Sequence, residues 1–274
     1  MTARRRLDAE LVRRGLVASR EKAVEAVLAG RVLVGGAPAA KPSRLVSPAE
    51  PVLIEGPGPR FVSRGGHKLD AALERFGVVV SGRRALDAGA STGGFTDCLL
   101  QRGASTVVAV DVGRGQLDAR LRADPRVTVL EGVNVRYLTP PDVPGGVVGV
   151  VVADLSFISL RTVGPVLCGP VAAPGADVVV LVKPQFEAGR RHVSAGRGVI
   201  TDPEVWRGAV AGVADALASH GAAIMGAMVS PLKGAEGNVE FLLHAVAHRA
   251  GEHAASPGAA ALDLDALTAE AEVL

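Results

Sequence analysis

At 274 residues and 48 % hydrophobic but only 3 % aromatic, the chain has room for one large domain or a large and a small one, with a core of Val, Leu and Ala. No apolar run reaches the roughly 18 residues of a membrane span. The basic N-terminus lacks a signal-like apolar stretch, and Cys98 and Cys168 read as buried small hydrophobes, so a cytoplasmic protein without a disulfide or metal is expected. The net charge of +2 is uneven: residues 1–66 hold twelve Lys and Arg against six Asp and Glu, or +6, which leaves −4 for the other 208 and predicts a basic module with a polyanionic partner such as nucleic acid.

Along the chain, Leu7, Leu11, Val12, Ala23, Val24, Val27 and Leu28 recur at helical spacing, with Gly15 as a break and Ser19 as a helix cap, which predicts helix, turn, helix. Gly30 ends the second helix. Arg31–Val34 is a strand, Gly35-Gly36 a hairpin turn, and Pro51–Ile54 further extended chain. Gly56-Pro57-Gly58-Pro59 is a linker signal, so residues 1–59 form one small α+β module. Arg6-Leu7-Asp8, Leu11, Arg14-Gly15, Ser19-Arg20, Ala23, Gly30-Arg31-Val32, Val34 and Lys41-Pro42-Ser43 give this module its resemblance to the S4 RNA-binding domain. That resemblance implies that Arg6, Arg14, Arg20 and Arg31 face structured RNA; Arg4, Lys41 and Arg64 complete the expected RNA-binding set. One departure is Gly35, where the family usually has Asn.

Residues 60–67 are expected to be a linker, 68–250 a second domain and 251–274 a flexible tail, with a short helix at 262–273. The second domain opens with an amphipathic helix through Leu73 and Phe76. Strands at 85–88, 107–110, 127–130, 147–153, 178–182, 223–229 and 239–244 follow, with helices at 95–102 and 116–122 between the first three. Val-rich strands alternating with helices predict an α/β fold, a doubly wound and largely parallel Rossmann-like sheet buried on both faces.

Asp87-Ala88-Gly89-Ala90-Ser91-Thr92-Gly93-Gly94-Phe95 lies between a strand and a helix, where glycines let backbone amides approach a ligand. Asp111 ends the next strand, 22 residues after Gly89, where an acid holds the hydroxyls of an adenosine ribose. Gly89-Ala90-Ser91-Thr92-Gly93 also has the spacing of a hydrolase nucleophile elbow, with His192 or His244 as nominal partners. That reading leaves Asp111 and the lysines unexplained, and a nicotinamide dehydrogenase leaves the basic module unexplained. S-adenosylmethionine (SAM) is the preferred cofactor. Asp87 would orient the loop formed by Gly89, Ala90, Ser91, Thr92, Gly93, Gly94 and Phe95; Asp111 and Val112 would meet the ribose, Asn134 the adenine edge, and Asp154 would lie near the methyl donor.

Four residues carry the expected chemistry. Lys68, Asp154, Lys183 and Glu240 are each expected just before or just after a predicted strand, and two amines with two carboxylates keep every charge paired while a hydroxyl loses its proton. This order resembles that of RNA ribose 2′-O-methyltransferases. Lys183 is the expected base or hydroxyl-steering group and Lys68 the group that orients ribose or phosphate. Asp154 holds Lys183, and Glu240 completes the network. Ser63–Leu69, Ser91–Asp97, Asp154–Leu160, Lys183–Glu187 and Lys233–Glu240 give the chain from about Arg4 to His248 its resemblance to the TlyA family of rRNA methyltransferases, which join an S4 domain to an FtsJ-like methyltransferase domain. The resemblance implies SAM-dependent 2′-O-methylation of cytidine in 16S and/or 23S rRNA within 30S or 50S ribosomal subunits, without a metal. Some members are also described as haemolysins, and no membrane-active segment is apparent in this sequence. Turning the target nucleotide out of folded RNA is the expected route to its 2′-OH, with Phe61, Val62, Ser63 and Arg64 coupling docking to the donor pocket. A non-catalytic RNA-binding protein that retains the nucleotide fold is the alternative.

Overall fold

The computed structural model describes residues 4–17, 19–56, 58–188, 198–247 and 258–274, and the chain divides into two units, one through Arg60 and one from Phe61 onward.

The first unit contains β1 (Arg5–Arg6), α1 (Leu7–Arg13), α2 (Arg20–Leu28), β2 (Val32–Val34), β3 (Ala37–Pro38), β4 (Leu45–Val46) and β5 (Val52–Ile54). Strands β3, β2 and β5 form one antiparallel sheet and β1 pairs with β4. Ser19 caps α2, its hydroxyl accepting from the Lys22 amide at 3.3 Å. Leu7, Leu11, Ala23, Ala26, Val27, Val32 and Val34 are buried together. Leu28, expected inside, is 71 % exposed. The buried stripe of α2 runs through Ala23, Ala26 and Val27, and a helix turning 100° per residue carries position 28 off it.

In the second unit, β6 (Arg84–Ala88), β7 (Thr106–Asp111), β8 (Val127–Glu131), β9 (Val148–Ala153), β10 (Ala172–Val182), β11 (Ala223–Val229) and β12 (Phe241–Val246) form one sheet in the order β11-β12-β10-β9-β6-β7-β8. Neighbours from β10 to β8 are parallel, and β12 runs antiparallel to both β10 and β11. The helices are α3 (Gly65–Phe76), α4 (Gly94–Gln101), α5 (Ala119–Ala123), α6 (Leu160–Leu167), α7 (Pro184–Glu187), α8 (Pro203–Ser219) and α9 (Leu264–Glu272). Alternate strand residues serve opposite cores: Val151, Ala153, Val178, Val180 and Val182 pack with Leu167, Val213 and Leu217, whereas Val150, Val152, Val179 and Leu181 pack with Leu69, Leu73 and Leu99.

Several boundaries differ from expectation. β10 is longer, starting at Ala172, and contains a register shift before Asp177. α5 starts only at Ala119 because the Asp118 carboxylate caps it, accepting from the Arg120 amide at 2.9 Å. β12 starts at Phe241, so Glu240 lies just outside it. Residues 61–67 are not a free linker: Phe61 and Val62 are buried in the core beside α3, and Gly66 lies so close to the Phe61 ring that a Cβ there would overlap it. Cys98 and Cys168 are both buried, and burial pushes the Cys168 thiol up to about 12.

The described part of the expected free tail is also packed. Leu267 and Ala271 of α9 join the core that contains Trp206, Val210 and Val213, and Asp215 of α8 accepts from the Ala259 amide at 2.8 Å. The amphipathic pattern of 262–273 shows a helix but not what covers its apolar face. Leu267→Ala is expected to lower the unfolding free energy by about 2 kcal/mol or more in urea titrations of the full chain. A change below about 0.5 kcal/mol is what an undocked surface helix would give.

Candidate active site

Because β12 opposes β10, its entry and the exits of β6, β7, β9 and β10 lie along one edge of the sheet. That topology brings Asp87, Asp111, Asp154, Lys183 and Glu240 to the same edge from distant parts of the chain. A cavity of about 570 Å³ opens there. Gly89, Ser91, Asp111, Val112, Asn134 and Asp154 line it. Gly89 has φ +84°, and a Cβ on it would collide with the Asp154 carbonyl, so only glycine allows this approach of β6 to β9.

Asp111 has two roles in shaping the cavity. Its Oδ2 accepts from the Ser91 amide at 2.7 Å and its Oδ1 from the Gly113 amide at 2.6 Å, which pins the loops on either side. A carboxylate has about four acceptor positions, so lone pairs remain for a ribose diol. Asn134 uses Oδ1 to accept from the Arg136 amide at 3.0 Å, capping a short helical turn. Val112, Val133 and Val135 supply apolar wall suited to a purine. Volume, strand-end acid and apolar wall fit an adenosyl group.

Other expected ligand residues shape the turn without lining the cavity. Ala90, Gly93, Gly94 and Phe95 are buried behind it, and Thr92 is exposed with its carbonyl accepting from the Asp118 amide at 3.2 Å. A Cβ on Gly94 would overlap the Ser63 hydroxyl, which makes this glycine a packing requirement. Asp87 is fully buried and accepts from the Thr96 hydroxyl at 2.6 Å. Burial raises its carboxyl to about 7 despite that hydrogen bond, and the charges of Asp154 and Asp111 push the same way.

The tetrad resolves into two ion pairs. Lys68, in the first turn of α3, meets Glu240 in a short contact with both side chains nearly dry. Lys183 Nζ stands 2.6 Å from Asp154 Oδ1 and donates to Ser156 Oγ at 3.1 Å, in a wetter setting. The Asp154 contact is close but poorly directed, since Oδ1 accepts no well-aligned hydrogen bond. Of the four, only Asp154 lines the cavity, and Lys183 stands behind it and Ser156.

The cavity has a further wall outside the expected site residues. Gly113 and Gln116 line one side, and Leu155, Ser156, Phe157 and Ile158 line the other. Phe157 is 93 % exposed at φ +66°, a strained backbone for a residue with a Cβ, and its ring lies 5.2 Å from that of Phe186. Glu187 holds this loop: it accepts from the Leu160 amide at 2.7 Å and from Ser159 Oγ at 2.5 Å, while Arg161 donates to its carbonyl at 2.6 Å. The loops after Asp154 and Lys183 are thereby tied together. The signal was present in Asp154–Leu160 and Lys183–Glu187, but no local pattern says that one segment caps the other.

A hydrolase elbow finds no support among the described residues. Ser91 has φ +48° but donates to Gln116 Oε1 at 3.2 Å, and His244 Nε2 is engaged by Asp177 at 2.7 Å. His192 lies outside the described residues. On the first unit Arg4, Arg6, Arg20 and Lys41 are exposed, Arg31 is half-buried, and Arg64 at the head of α3 is exposed on the second. Arg14 departs from the expected RNA-facing set. It donates to Glu10 at 2.7 Å, to the Glu50 carbonyl at 2.9 Å, and to the Pro48 and Ser47 carbonyls at 3.1 and 3.3 Å, so its guanidinium is turned inward to tie α1 to the 47–50 turn.

The FtsJ-like methyltransferase family profile matches residues 61–246, and the S4 domain profile matches residues 5–52. The chain belongs to the FtsJ-like methyltransferase family. The 16S/23S rRNA (cytidine-2′-O)-methyltransferase TlyA of Mycobacterium tuberculosis is 54 % identical over 89 % of this chain and 90 % of its own. A solved structure described as a candidate hemolysin, from Streptococcus thermophilus, is 36 % identical over 100 % of this chain and 97 % of its own, with a TM-score of 0.76. A candidate S-adenosylmethionine-dependent methyltransferase from Listeria monocytogenes covers 68 % of this chain and 99 % of its own at 14 % identity and a TM-score of 0.51, a likeness of fold. The FtsJ-like unit is thus an enzyme domain that uses SAM, preceded by an S4 domain. No described helix of this FtsJ-like methyltransferase is long and apolar enough to cross a membrane.

Asp87 makes stability pH-dependent. Its folded-state value, about 7, lies above the ordinary 3.8, so its contribution is full below about pH 4 and is lost as pH rises toward 7. Urea titrations across that window should show wild-type stability falling relative to Asp87→Asn by on the order of a few kcal/mol. Parallel pH curves for the two proteins would contradict the burial argument.

Proposed function

We propose that this enzyme methylates the 2′-oxygen of a cytidine ribose in 16S and/or 23S rRNA, acting on ribosomal subunits in the cytoplasm. The observation that carries the reading is the Asp154–Lys183 pair, which joins a cavity suited to an adenosyl group to a basic group able to handle a hydroxyl. The name of the M. tuberculosis relative supports the choice of cytidine and of rRNA, and the S4 unit with exposed Arg4, Arg6, Arg20 and Lys41 suits a structured polyanion.

Bound SAM supplies an electrophilic methyl group carried on a sulfonium. A ribose hydroxyl is a weak nucleophile at neutral pH, so it needs alignment first and proton removal second. Lys183 is the base or steering group for that hydroxyl, and Asp154 and Ser156 fix where its ammonium nitrogen stands. Lys68, held by Glu240, is the group that orients ribose or phosphate. Phe157 and Phe186 offer ring faces beside Lys183, whose Nζ lies 6.0 Å from the Phe186 centroid, and a pyrimidine turned out of an RNA helix needs such a surface in place of its lost stacking. Val62 donates its amide to Asp97 of α4 at 2.8 Å, which places the entry to this unit against the helix that follows the ligand loop and suits a coupling of RNA docking to the donor pocket.

Two experiments test the reading. Transfer of tritiated methyl from SAM to purified 30S and 50S subunits, followed by mapping of 2′-O-methyl sites, should place the label on cytidine riboses; label on a base, or none, refutes it. Lys183→Ala should retain folding and SAM binding by calorimetry while transfer falls by at least about 100-fold, the contribution typical of a general base. Full activity in that variant removes Lys183 from the mechanism.

A further inference from the structure

Two carboxylates in the S4 unit lie under its arginines: Asp8 is 2 % exposed and Glu10 is 0 %. Their uses differ. Glu10 binds Arg13 at 2.6 Å and Arg14 at 2.7 Å, and Arg14 is spent on internal carbonyls, so Glu10 serves the packing of α1. Asp8 instead serves two arginines whose side chains remain 51 % and 61 % exposed, Arg6 and Arg20. Its Oδ1 accepts from Arg6 Nε at 3.1 Å and from the Ala9 amide at 2.8 Å. Its Oδ2 accepts from Arg6 Nη2 at 2.9 Å and from Arg20 Nη2 at 3.0 Å. All four acceptor positions are used, and guanidinium groups from β1 and from the first turn of α2 are brought to a single oxygen.

As a device for stability this is a poor choice. Half-exposed ion pairs contribute little, and a buried carboxylate costs desolvation that an apolar residue of similar size avoids. As a device for geometry it is effective. Two arginines repel each other and each loses the freedom of a long side chain when ordered; a shared buried acid holds them adjacent before any ligand arrives. We propose that Asp8 is a positioning residue for RNA binding, presenting Arg6 and Arg20 as a pre-formed receptor for the phosphate backbone of structured rRNA. The inference rests on the reading of the S4 unit as the RNA-docking module. The Arg6 hydrogen bonds, with Arg20 adding to them, hold the Asp8 carboxyl well below its ordinary range, so the acid stays ionised at any working pH.

Asp8→Asn removes one negative charge from the docking face, and counterion release alone says that binding tightens. If positioning dominates, binding weakens, because the arginines must be ordered at the moment of contact. The experiment measures affinity of the full chain for purified 30S and 50S subunits over a series of KCl concentrations. The variants are Asp8→Asn, Arg6→Ala with Arg20→Ala, and all three together; Glu25→Gln, whose wild-type partner is Lys22 at 3.1 Å, reproduces the charge change elsewhere on the unit. The expected result is at least tenfold weaker binding for Asp8→Asn, no weakening for Glu25→Gln, and no further effect of Asp8→Asn once both arginines are gone. Unchanged or tighter binding by Asp8→Asn overturns the inference, and so does an equal loss in the arginine-free background, which would mark Asp8 as a residue of the fold alone. If the double arginine variant binds like wild type, the docking reading itself fails and this inference falls with it.

Discussion

An ammonium group withdrawn from water must take a carboxylate with it, and the pairing of Lys68 with Glu240 is the contact around which this edge of the sheet is arranged. Lys68 is placed by α3, which is locked into the core through Leu69, Ala72 and Leu73. Glu240 is placed by the entry of β12, and Gly234 must lack a side chain because a Cβ there would approach Glu240 Oε1 to 2.7 Å. Helix, sheet and the turn between β11 and β12 are therefore fixed together by one dry ion pair. The Asp154–Lys183 pair is more accessible, at 25 % and 12 % of its side chains.

Around that edge the protein repeatedly uses a side-chain acceptor to hold backbone amides of a loop. Asp111 fixes the amides of Ser91 and Gly113, Glu187 fixes that of Leu160, and Asn238 fixes that of Ile200 at 2.8 Å. Asp111 lies at a strand exit, Glu187 closes the short helix after β10 and Asn238 comes just before β12, all where the ladder supplies no partners. This is an inexpensive way to make loops rigid enough for a methyl transfer that depends on alignment. In the S4 unit Asp8 does for guanidinium groups what Asp111 does for amides: one carboxylate accepts from donors on two separate segments.

Much of this was legible in the chain. Strand residues alternating between two cores follow from Val-rich runs such as 178–182, and the ligand turn follows from Gly89 with Asp111 at the next strand end. The Lys, Asp, Lys and Glu positions were identifiable because each falls beside a strand boundary or a turn. Less legible were residues whose role comes from a distant partner. Phe157 looks like any core aromatic until its exposure and left-handed backbone are known, and Arg14 looks like its neighbours until the 47–50 carbonyls are placed around it.

The sequence by itself determined the two modules, the doubly wound sheet, the glycine turn after its first strand and the inventory of charged groups, because these depend on periodicity and on residue chemistry within a few positions. Only the tertiary structure decided which lysine meets which acid, since Lys68 and Glu240 are 172 positions apart and nothing local distinguishes Glu240 from Asp154 as a partner. It also decided that the segment from 258 onward closes over the core and that Asp8, not solvent, orients Arg6 and Arg20. Such choices are made by burial: a pairing that is worth little in water becomes obligatory once packing excludes it.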